Sequence, residues 1–209
     1  MIFNALPYGL YLVANFVDQN QEKFLWCIKE ALSAGVDIVQ LRAKNLNQED
    51  FYILAQKIKI ICMQFDKPFI INDHVYIAKK LNCGVHLGSS DMPLKEARCL
   101  LGDKALIGSS LSIGSDQSCY ADYLAASPIF YTPTKPDAVY PCGIRGLREL
   151  IMNSAQPIVA IGGIHEHNIK EILATGCRFI AVVSAVMNAS DPFSQSSKLR
   201  KILRAHYGA

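Results

Sequence analysis

The sequence has few of the features that mark membrane, secreted or zinc-binding proteins. It contains no uninterrupted apolar run of about 18 residues, the length that a membrane-spanning helix needs. Its first residues, MIFNALPYGLYLV, lack the basic start and the small-residue cleavage site of a secretory signal peptide. The seven cysteines include no CxxC pair and no Cys/His cluster, which argues against a disulfide framework and a zinc site. We therefore expect a cytoplasmic protein without membrane contact, whose thiols are reduced and mostly buried.

A large excess of charge of either sign is also missing. The formal net charge is +3, and the basic residues are scattered along the chain except near its end. The cluster near the end comprises Lys198, Arg200, Lys201 and Arg204. Cations towards the end of a helix complement the negative end of its dipole, so we expect no nucleic-acid partner. With 51% hydrophobic and only 19% charged residues, the composition favours a folded chain with a large core.

No composition break, internal repeat or low-complexity segment divides the chain, so we expect a single domain spanning residues 1–209. Short apolar runs alternate with amphipathic segments, forming about eight strand-plus-helix units of about 26 residues each. Such alternation is typical of α/β proteins, either a doubly wound sheet or a (β/α)8 barrel. Eight units in one compact chain favour the TIM barrel.

The apolar runs predict where the strands lie. They cover residues 8–14, 37–41, 68–71, 84–87, 105–111, 122–130, 157–161 and 179–183. Helices are predicted where apolar residues recur with helical spacing, with Asn47 and Asp191 as N-caps and Gly35 and Gly176 as closing glycines. They cover residues 21–34, 47–65, 74–81, 93–101, 147–152, 164–175 and 191–206, while 113–120 is predicted as a turn or two. A long polar loop, 131–143, follows the sixth strand.

The segment 156–187 is the part of the chain that first indicates a binding site. It reads as strand, helix and strand, and both strands end in small residues, Gly162-Gly163 and Ser184. Small residues let backbone N–H groups approach a ligand closely, and such groups suit a phosphate. A lone glycine pair is more often a tight turn. Two such strand ends in adjacent units favour a phosphate site.

The remaining strand ends carry charges that would repel each other without a ligand. In a barrel the carboxyl ends of the strands form the functional face. Arg42, Lys44 and Lys135 converge there and indicate a bound anion, while Asp73 and Asp91 indicate a divalent cation between them. Magnesium prefers a few carboxylates together with phosphate oxygens, so both features fit a magnesium-bound pyrophosphate. The glycine-rich ends would then hold a second phosphate.

Five motifs resemble the thiamine-phosphate synthase family and occur in that family's order. They are QLRAK (40–44), INDHVYIAKKLNCGVHLGSSD (71–91), DYLAASPIFYTPTKPDA (122–138), VAIGGI (159–164) and VVSAV (182–186). Together they cover nearly the whole chain. The T-x-T-K element and the IND…HLG..D block are quite specific, whereas IGGI and VSA occur in many phosphate-binding barrels.

The resemblance implies a condensation of hydroxymethylpyrimidine pyrophosphate with thiazole phosphate, giving thiamine phosphate and pyrophosphate. It implies a dissociative, Mg2+-assisted mechanism in which pyrophosphate leaves first and the thiazole nitrogen traps a pyrimidine cation. Such a reaction needs stabilisation of a leaving anion rather than a strong general base. No protein partner is implied, and a homo-oligomer stays open.

Residue roles follow from the motif positions. The residues implied for the pyrophosphate are Arg42, Lys44, Asn72 and Lys135, with Ser110 and Thr132 nearby. Of these, the resemblance gives the catalytic roles to Lys135, Arg42 and Ser110. The implied magnesium ligands are Asp73 and Asp91, and Gln40 would lie near the pyrimidine. The residues implied for the thiazole phosphate are Thr134, Gly163, Val183 and Ser184, the last three largely through backbone N–H groups.

Some positions depart from the family pattern, and three further functions stay open. The family usually has Gln where Ser89 stands, Gly near Ser127 and an acidic residue at Asn15, which affects the pyrimidine side more than the reaction.

A related thiazole tautomerase carries a His after the fifth strand, where this chain has Leu111. A phosphate-binding barrel without catalysis and a sugar-phosphate epimerase or lyase are also compatible with the pattern. His86 is expected to be a hydrogen-bonded barrel residue.

Overall fold

The computed structural model describes residues 3, 6–17, 20–110, 116–133 and 140–208, with only the backbone of residues 116 and 117. Eight parallel strands pair in sequence order, and β8 pairs with β1, so the barrel is closed. The predicted TIM barrel is therefore confirmed. The strands are β1 (Gly9–Asn15), β2 (Ile38–Arg42), β3 (Phe69–Asn72), β4 (Gly84–Leu87), β5 (Ile107–Ser110), β6 (Tyr123–Ala126), β7 (Ile158–Ile161) and β8 (Phe179–Val182).

Helices follow the strands and cover the outside of the barrel. They are α1 (Gln21–Ser33), α2 (Gln48–Gln64), α3 (Val75–Leu81), α4 (Leu94–Leu101), α5 (Gly143–Asn153), α6 (Ile169–Leu173), α7 (Ser184–Met187) and α8 (Pro192–Tyr207), with a 3-10 turn at Asp116–Tyr120. The predicted N-caps are confirmed, since the Asn47 and Asp191 side chains accept hydrogen bonds from the backbone N–H groups of Asp50 and Ser194. None of the described helices is both long and apolar enough to cross a membrane.

Three details of the prediction are wrong. The sixth strand ends at Ala126 rather than 130, because Ser127-Pro128 turns the chain and proline has no N–H for a strand ladder. The helix α7 was not predicted, since its four residues are too short for a periodic pattern. The thiols are not mostly buried, because only Cys27, Cys62 and Cys177 are buried, while Cys83 is intermediate and the other three are exposed, Cys99, Cys119 and Cys142. All seven cysteines belong to the described residues, and no disulfide joins any of them.

Two separate cores result from the alternation of side chains along each strand. The larger core lies between the barrel and the helices and takes residues such as Leu12, Leu41 and Ile180. The smaller core fills the barrel interior, with Tyr11, Val13, Ile38, Ile70, Tyr123, Val159, Phe179 and Ala181 from the strands and Phe3 packed among them. Because this interior is packed, a ligand of the barrel would lie above it, at the carboxyl ends of the strands.

Candidate active site

A cavity of about 1030 Å³ opens at the carboxyl ends of the strands. Its floor is the top of the barrel core, including Val13, Val159 and Ala181, and its wall consists of the loops after the strands. The sequence-predicted site residues that line it are Gln40, Arg42, Lys44, Asn72, Asp73, Asp91, Ser110, Thr132, Gly163, Val183 and Ser184. Thr134 and Lys135, also predicted, lie outside the described residues.

The cationic side of the cavity is built by β1 and β2, which pair in register up to Asn15 and Arg42. The guanidinium of Arg42 donates a hydrogen bond of 2.7 Å to the Asn15 side-chain oxygen. That neutral partner orients the guanidinium without cancelling its charge. Lys44 is two residues beyond the strand end, and its ammonium lies 3.7 Å from a carboxylate oxygen of Asp73.

The acidic side of the cavity is built by the turns after β3 and β4. Asp73 has a φ of 68°, an uncommon conformation for a residue with a side chain and one that is found often at functional sites. A carboxylate oxygen of Asp91 accepts a hydrogen bond of 2.6 Å from the backbone N–H of Gly88. Burial, followed by the neighbouring carboxyl of Asp91, raises the pKa of Asp73 to about 6, although Lys44 and Arg42 oppose the shift.

Two adjacent carboxyl groups, one of them with a raised pKa, are a donor set that fits a divalent cation. Among the described residues no group of three or more His, Cys, Asp or Glu side chains is arranged to hold a metal. Zinc and transition-metal sites, which need more protein ligands of these kinds, therefore fit this part of the chain poorly. Magnesium often binds one or two carboxylates and completes its coordination with substrate phosphates and water, so Asp73 and Asp91 fit it.

The opposite side of the cavity consists of the turns after β7 and β8. Gly162 and Gly163 have φ values of 106° and 65°, which favour glycine. A Cβ at Gly163 would lie 2.6 Å from the carbonyl oxygen of Tyr131, so the loop after β6 packs directly on this turn. Two backbone hydrogen bonds extend that contact, from Ile129 N–H to Ile161 O and from Phe130 N–H to Gly162 O, each 3.0 Å. The turn that was predicted as a phosphate site is thus fixed beside the loop that leads to residues 134–139.

Polar side chains connect two sides of the cavity through its floor. Gln40 Nε2 donates to the Tyr11 hydroxyl at 2.7 Å, and the Tyr11 hydroxyl lies 2.9 Å from that of Tyr123. His86 Nδ1 lies 3.0 Å from the Tyr123 hydroxyl, and His86 Nε2 lies 3.2 Å from Ser110 Oγ. The prediction that His86 is a hydrogen-bonded barrel residue is confirmed, and its ring also lines the cavity.

Two tyrosines of the floor, Tyr11 and Tyr123, are absent from the sequence-predicted site. Each lies in an apolar strand, where an aromatic residue usually belongs to the core. The sequence does contain one indication that Tyr11 belongs to the site. Tyr11, Val13 and Asn15 are alternate residues of β1, so their side chains share the face that points into the barrel and towards the cavity.

The chain is similar over most of its length to known proteins of one family. The family model described as thiamine monophosphate synthase matches residues 10–186. A thiamine-phosphate synthase from Persephonella marina is 41% identical over 182 residues, covering 85% of this chain and 87% of that protein. Another from Methanobrevibacter smithii is 40% identical over 207 residues, covering 97% and 98% of the two chains.

Solved structures lead to the same family. The thiamine phosphate pyrophosphorylase from Pyrococcus furiosus superposes with a TM-score of 0.82 at 31% identity, covering 96% of this chain and 98% of that one. KGPDC from Streptococcus mutans superposes with a TM-score of 0.67 at 13% identity, covering 96% of this chain and 99% of that one, and therefore shares the fold alone. The match over residues 10–186 and relatives of about 40% identity across nearly the whole length leave no other assignment: this chain belongs to the thiamine monophosphate synthase family.

Proposed function

We propose that this chain condenses hydroxymethylpyrimidine pyrophosphate with thiazole phosphate, releasing pyrophosphate and forming thiamine phosphate. Membership of the family makes it a transferase of the thiamine-phosphate synthase type. The identity of the two substrates is our inference. The observation that carries them is the division of one cavity into a side with Arg42, Lys44, Asp73 and Asp91 and a side with glycine turns, which suits two different phosphorylated ligands.

The pyrophosphate of the first substrate fits the cationic side. Arg42 and Lys44 supply positive charge, Arg42 as a planar donor that Asn15 already orients. Asn72 and Ser110 lie at the ends of β3 and β5 and add neutral donors beside these charges. Thr132 lines the same cavity, and Lys135, three residues later in the sequence, is assigned to the pyrophosphate from its motif. Donors that are fixed before the reaction stabilise the leaving anion without reorganisation.

We further propose Asp73 and Asp91 as the residues that would hold Mg2+. When bound, the ion would supply positive charge that neutralises the developing negative charge on the pyrophosphate. The two carboxyl groups favour binding of a cation, because their proximity and the burial of Asp73 make the ionised pair unfavourable until a cation is present.

The thiazole phosphate fits the opposite side of the cavity. Gly163, Val183 and Ser184 follow β7 and β8, and their backbone N–H groups are the donors that we assign to its phosphate. Thr134, three residues after Tyr131 in the sequence, is assigned to the same phosphate from the T-x-T-K motif. The two substrates would then meet above the floor of the cavity, where Val13, Val159 and Ala181 lie beside the hydroxyls of Tyr11 and Tyr123.

The chemistry that follows requires no strong general base. The carbon–oxygen bond to pyrophosphate breaks, and the bonding electrons leave with the anion. The lone pair of the thiazole nitrogen then forms the new carbon–nitrogen bond, and no proton has to be removed at this step. The described lining of the cavity holds two cations, Arg42 and Lys44, several neutral donors and three carboxyl groups, Asp73, Asp91 and Glu149, a set that can stabilise a leaving anion. The relatives of about 40% identity are named thiamine-phosphate synthases. A tautomerase function is therefore not favoured.

The free thiols support a cytoplasmic location for this reaction, because disulfides are rare in that compartment.

One experiment tests the proposed function directly. Purified protein is incubated with both substrates and Mg2+, and thiamine phosphate is measured by chromatography, with omission of each substrate and addition of EDTA as controls. We expect product only when both substrates and the metal are present. Product in the presence of EDTA would remove the metal from the proposal, and no product in any mixture would contradict the proposed substrates.

A further inference from the structure

A continuous chain of hydrogen bonds crosses the barrel along the floor of the cavity. It begins at Gln40 on β2, passes through the hydroxyls of Tyr11 and Tyr123, and reaches both ring nitrogens of His86 before ending at Ser110 on β5. Its four links measure 2.7, 2.9, 3.0 and 3.2 Å. The two end residues were already placed in the substrate site, whereas Tyr123 belongs to the floor of the cavity and had no role assigned to it.

One assignment of the hydrogen-bond directions gives each buried hydroxyl proton of this chain of bonds an acceptor within it. Gln40 Nε2 donates to the Tyr11 oxygen, and in this assignment the Tyr11 proton points to the oxygen of Tyr123, because the reverse bond would leave the buried Tyr11 proton without an acceptor among these residues. Tyr123 accepts that bond, and its own proton therefore points to His86 Nδ1. A ring nitrogen that accepts a hydrogen bond carries no proton, so the proton of the neutral imidazole is on Nε2 and is donated to Ser110 Oγ.

Burial keeps the proton count of the two phenols fixed. The side chains of Tyr11 and Tyr123 are 1% and 0% exposed. Loss of solvation by burial raises the pKa of both hydroxyls well above the ordinary value, although the bonds from Gln40 act in the opposite direction. Each phenol therefore keeps its single proton, and each can donate only once.

Gly108 shows that the barrel makes room for this arrangement. It lies on β5 between His86 of β4 and Tyr123 of β6 in the strand register. A Cβ at Gly108 would lie 2.0 Å from the Cζ atom of Tyr123 and 2.3 Å from its hydroxyl oxygen. Any side chain at position 108 would push the phenol away, so glycine lets Tyr123 extend across β5 to the imidazole.

We propose that Tyr123 is a positioning residue, which transmits the donor direction of Gln40 and Tyr11 to His86 and so fixes Ser110 as a hydrogen-bond donor to the anion in the cavity. The hydroxyl of Ser110 accepts from His86, and its proton is then directed to a ligand oxygen. That the ligand is a pyrophosphate group rests on the function proposed above. The hydrogen-bond directions do not depend on it.

A donor of fixed direction is useful for this reaction. An unconstrained serine hydroxyl can rotate and donate its hydrogen bond to the imidazole. A lone pair of the serine oxygen, rather than the proton, would then face the anion. A serine that already accepts from His86 Nε2 presents its proton instead, and a bond from a hydroxyl to an anion is about twice as strong as a neutral one. Preorganised donors of this kind act where negative charge develops.

The first test reads the imidazole directly in the wild-type protein. Nitrogen-15 NMR of protein labelled at histidine distinguishes a protonated ring nitrogen from an unprotonated one, and a His86→Asn variant assigns the signals among the five histidines. We expect His86 to be neutral, with the proton on Nε2 and a hydrogen-bonded, unprotonated Nδ1. A proton on Nδ1, with or without one on Nε2, would overturn the proposed direction.

The second test removes the Tyr123 hydroxyl and keeps its ring. Tyr123→Phe loses the bonds of the hydroxyl to Tyr11 and His86. It is compared with Tyr207→Phe, which loses a hydroxyl hydrogen bond of 2.7 Å to the carbonyl of Cys177 and lies outside the cavity. We expect the Tyr123 variant to lower kcat roughly 3- to 10-fold, the value of one hydrogen bond, and the Nδ1 signal of His86 to move to that of a nitrogen without a donor. The Tyr207 variant should leave kcat and the His86 signals unchanged, and equal losses in both would overturn the proposal.

A double-mutant cycle shows whether Tyr123 acts through Ser110. If it does, Tyr123→Phe should have little further effect on kcat in protein that already carries Ser110→Ala. If the losses in kcat of the two single variants add in the double variant, Tyr123 does not act through Ser110, and the proposal is overturned. This comparison is made with Tyr123→Phe protein that is folded and binds pyrophosphate as tightly as the wild type does. Because the tautomer is measured without turnover, an inactive protein with the expected His86 signals would count against the proposed reaction alone. An active protein with the opposite tautomer would count against this inference alone.

Discussion

The ammonium of Lys44 lies 3.7 Å from a carboxylate oxygen of Asp73, so a residue assigned to the anion pairs with one assigned to the metal. The Lys44 side chain is 61% exposed and that of Asp73 is 24% exposed. An ion pair in such contact with solvent contributes little to stability. Lys44 can therefore leave Asp73 at low cost when a pyrophosphate and a cation enter the cavity.

The first prediction concerns Lys44→Ala. We expect an increase in KM for the pyrophosphate substrate, because a cation of the pyrophosphate side is lost, with a change of less than about 0.5 kcal/mol in the free energy of unfolding. Steady-state kinetics and urea denaturation measure the two quantities. Lys57→Ala is the matched control, since Lys57 is another surface lysine, bonded to the Gln21 side chain. An equal increase in KM in both variants would contradict a specific role for Lys44.

The second prediction concerns Asp73→Asn, which should abolish metal-dependent turnover and raise the stability of the metal-free protein. Folding raises the pKa of Asp73 from 3.8 to about 6, so the folded state binds the proton more tightly and ionisation disfavours folding. In EDTA at pH 7.5 the variant should therefore be more stable by about 1 kcal/mol, a value reduced for partial solvent exposure.

The raised pKa of Asp73 also makes the stability of the metal-free wild-type protein depend on pH. The contribution of Asp73 to stability in EDTA is fully present below pH 3.8 and is lost as the pH rises towards 6 and above. The difference in melting temperature between Asp73→Asn and wild type should therefore grow from about pH 5 to about pH 7.5, and Mg2+ should stabilise only the wild type. An active Asp73→Asn enzyme would disprove the metal assignment.

The third prediction compares two glycines with similar backbone conformations. Gly163 and Gly176 have φ values of 65° and 86°, but a Cβ at Gly163 would meet the Tyr131 carbonyl at 2.6 Å, while one at Gly176 has nothing within 4 Å. Both alanine variants should lose about 1 kcal/mol of stability from the strained backbone. Only Gly163→Ala should also raise KM for thiazole phosphate, because the loop after β6 must move. If Gly176→Ala raised this KM equally, the effect would come from general destabilisation.

The fourth prediction separates backbone from side chain at Ser184. If its backbone N–H holds the thiazole phosphate, Ser184→Ala should change KM for that substrate less than about 3-fold, whereas loss of a hydroxyl bond to a charged group would cost about 10-fold or more. Kinetics at varied thiazole phosphate distinguish the two results. A large increase in KM would assign the contact to the hydroxyl.

The barrel could be predicted from the sequence because local patterns determine its elements, and much of the site because strand ends can be read in order. Arg42, Asn72 and Asp91 all follow apolar runs, and the barrel brings such ends to one face whatever the details of packing. The network in the floor could not be read in this way. Tyr11 and Tyr123 are 112 residues apart, and only the closed register joins their hydroxyls. The short helix α7 and the early end of β6 depend on contacts that a linear pattern does not contain.

The last prediction concerns Asp37, at the opposite end of the barrel from the cavity. Its side chain is 4% exposed, and its Oδ2 atom accepts bonds from the Leu10 N–H at 2.9 Å and from Arg200 at 2.6 Å, while Lys67 lies 3.6 Å from Oδ1. This carboxylate ties helix α8 to the amino-terminal ends of β1 and β2. Because both cations are partly exposed, they can reach water when the carboxylate is removed, but the Leu10 N–H cannot.

Asp37→Ala should therefore lower the free energy of unfolding by about 2–4 kcal/mol, the value of a buried charged hydrogen-bond acceptor with partners that are partly solvated. The KM values of the folded enzyme should stay unchanged, because Leu10, Lys67 and Arg200 all lie outside the cavity lining. Urea denaturation followed by kinetics at a temperature where the variant is folded measures both. Arg200→Ala provides the comparison, since it removes one partner and leaves the Leu10 bond, and should cost clearly less. Equal losses in the two variants would mean that the ion pair, rather than the backbone bond, holds this end of the barrel together.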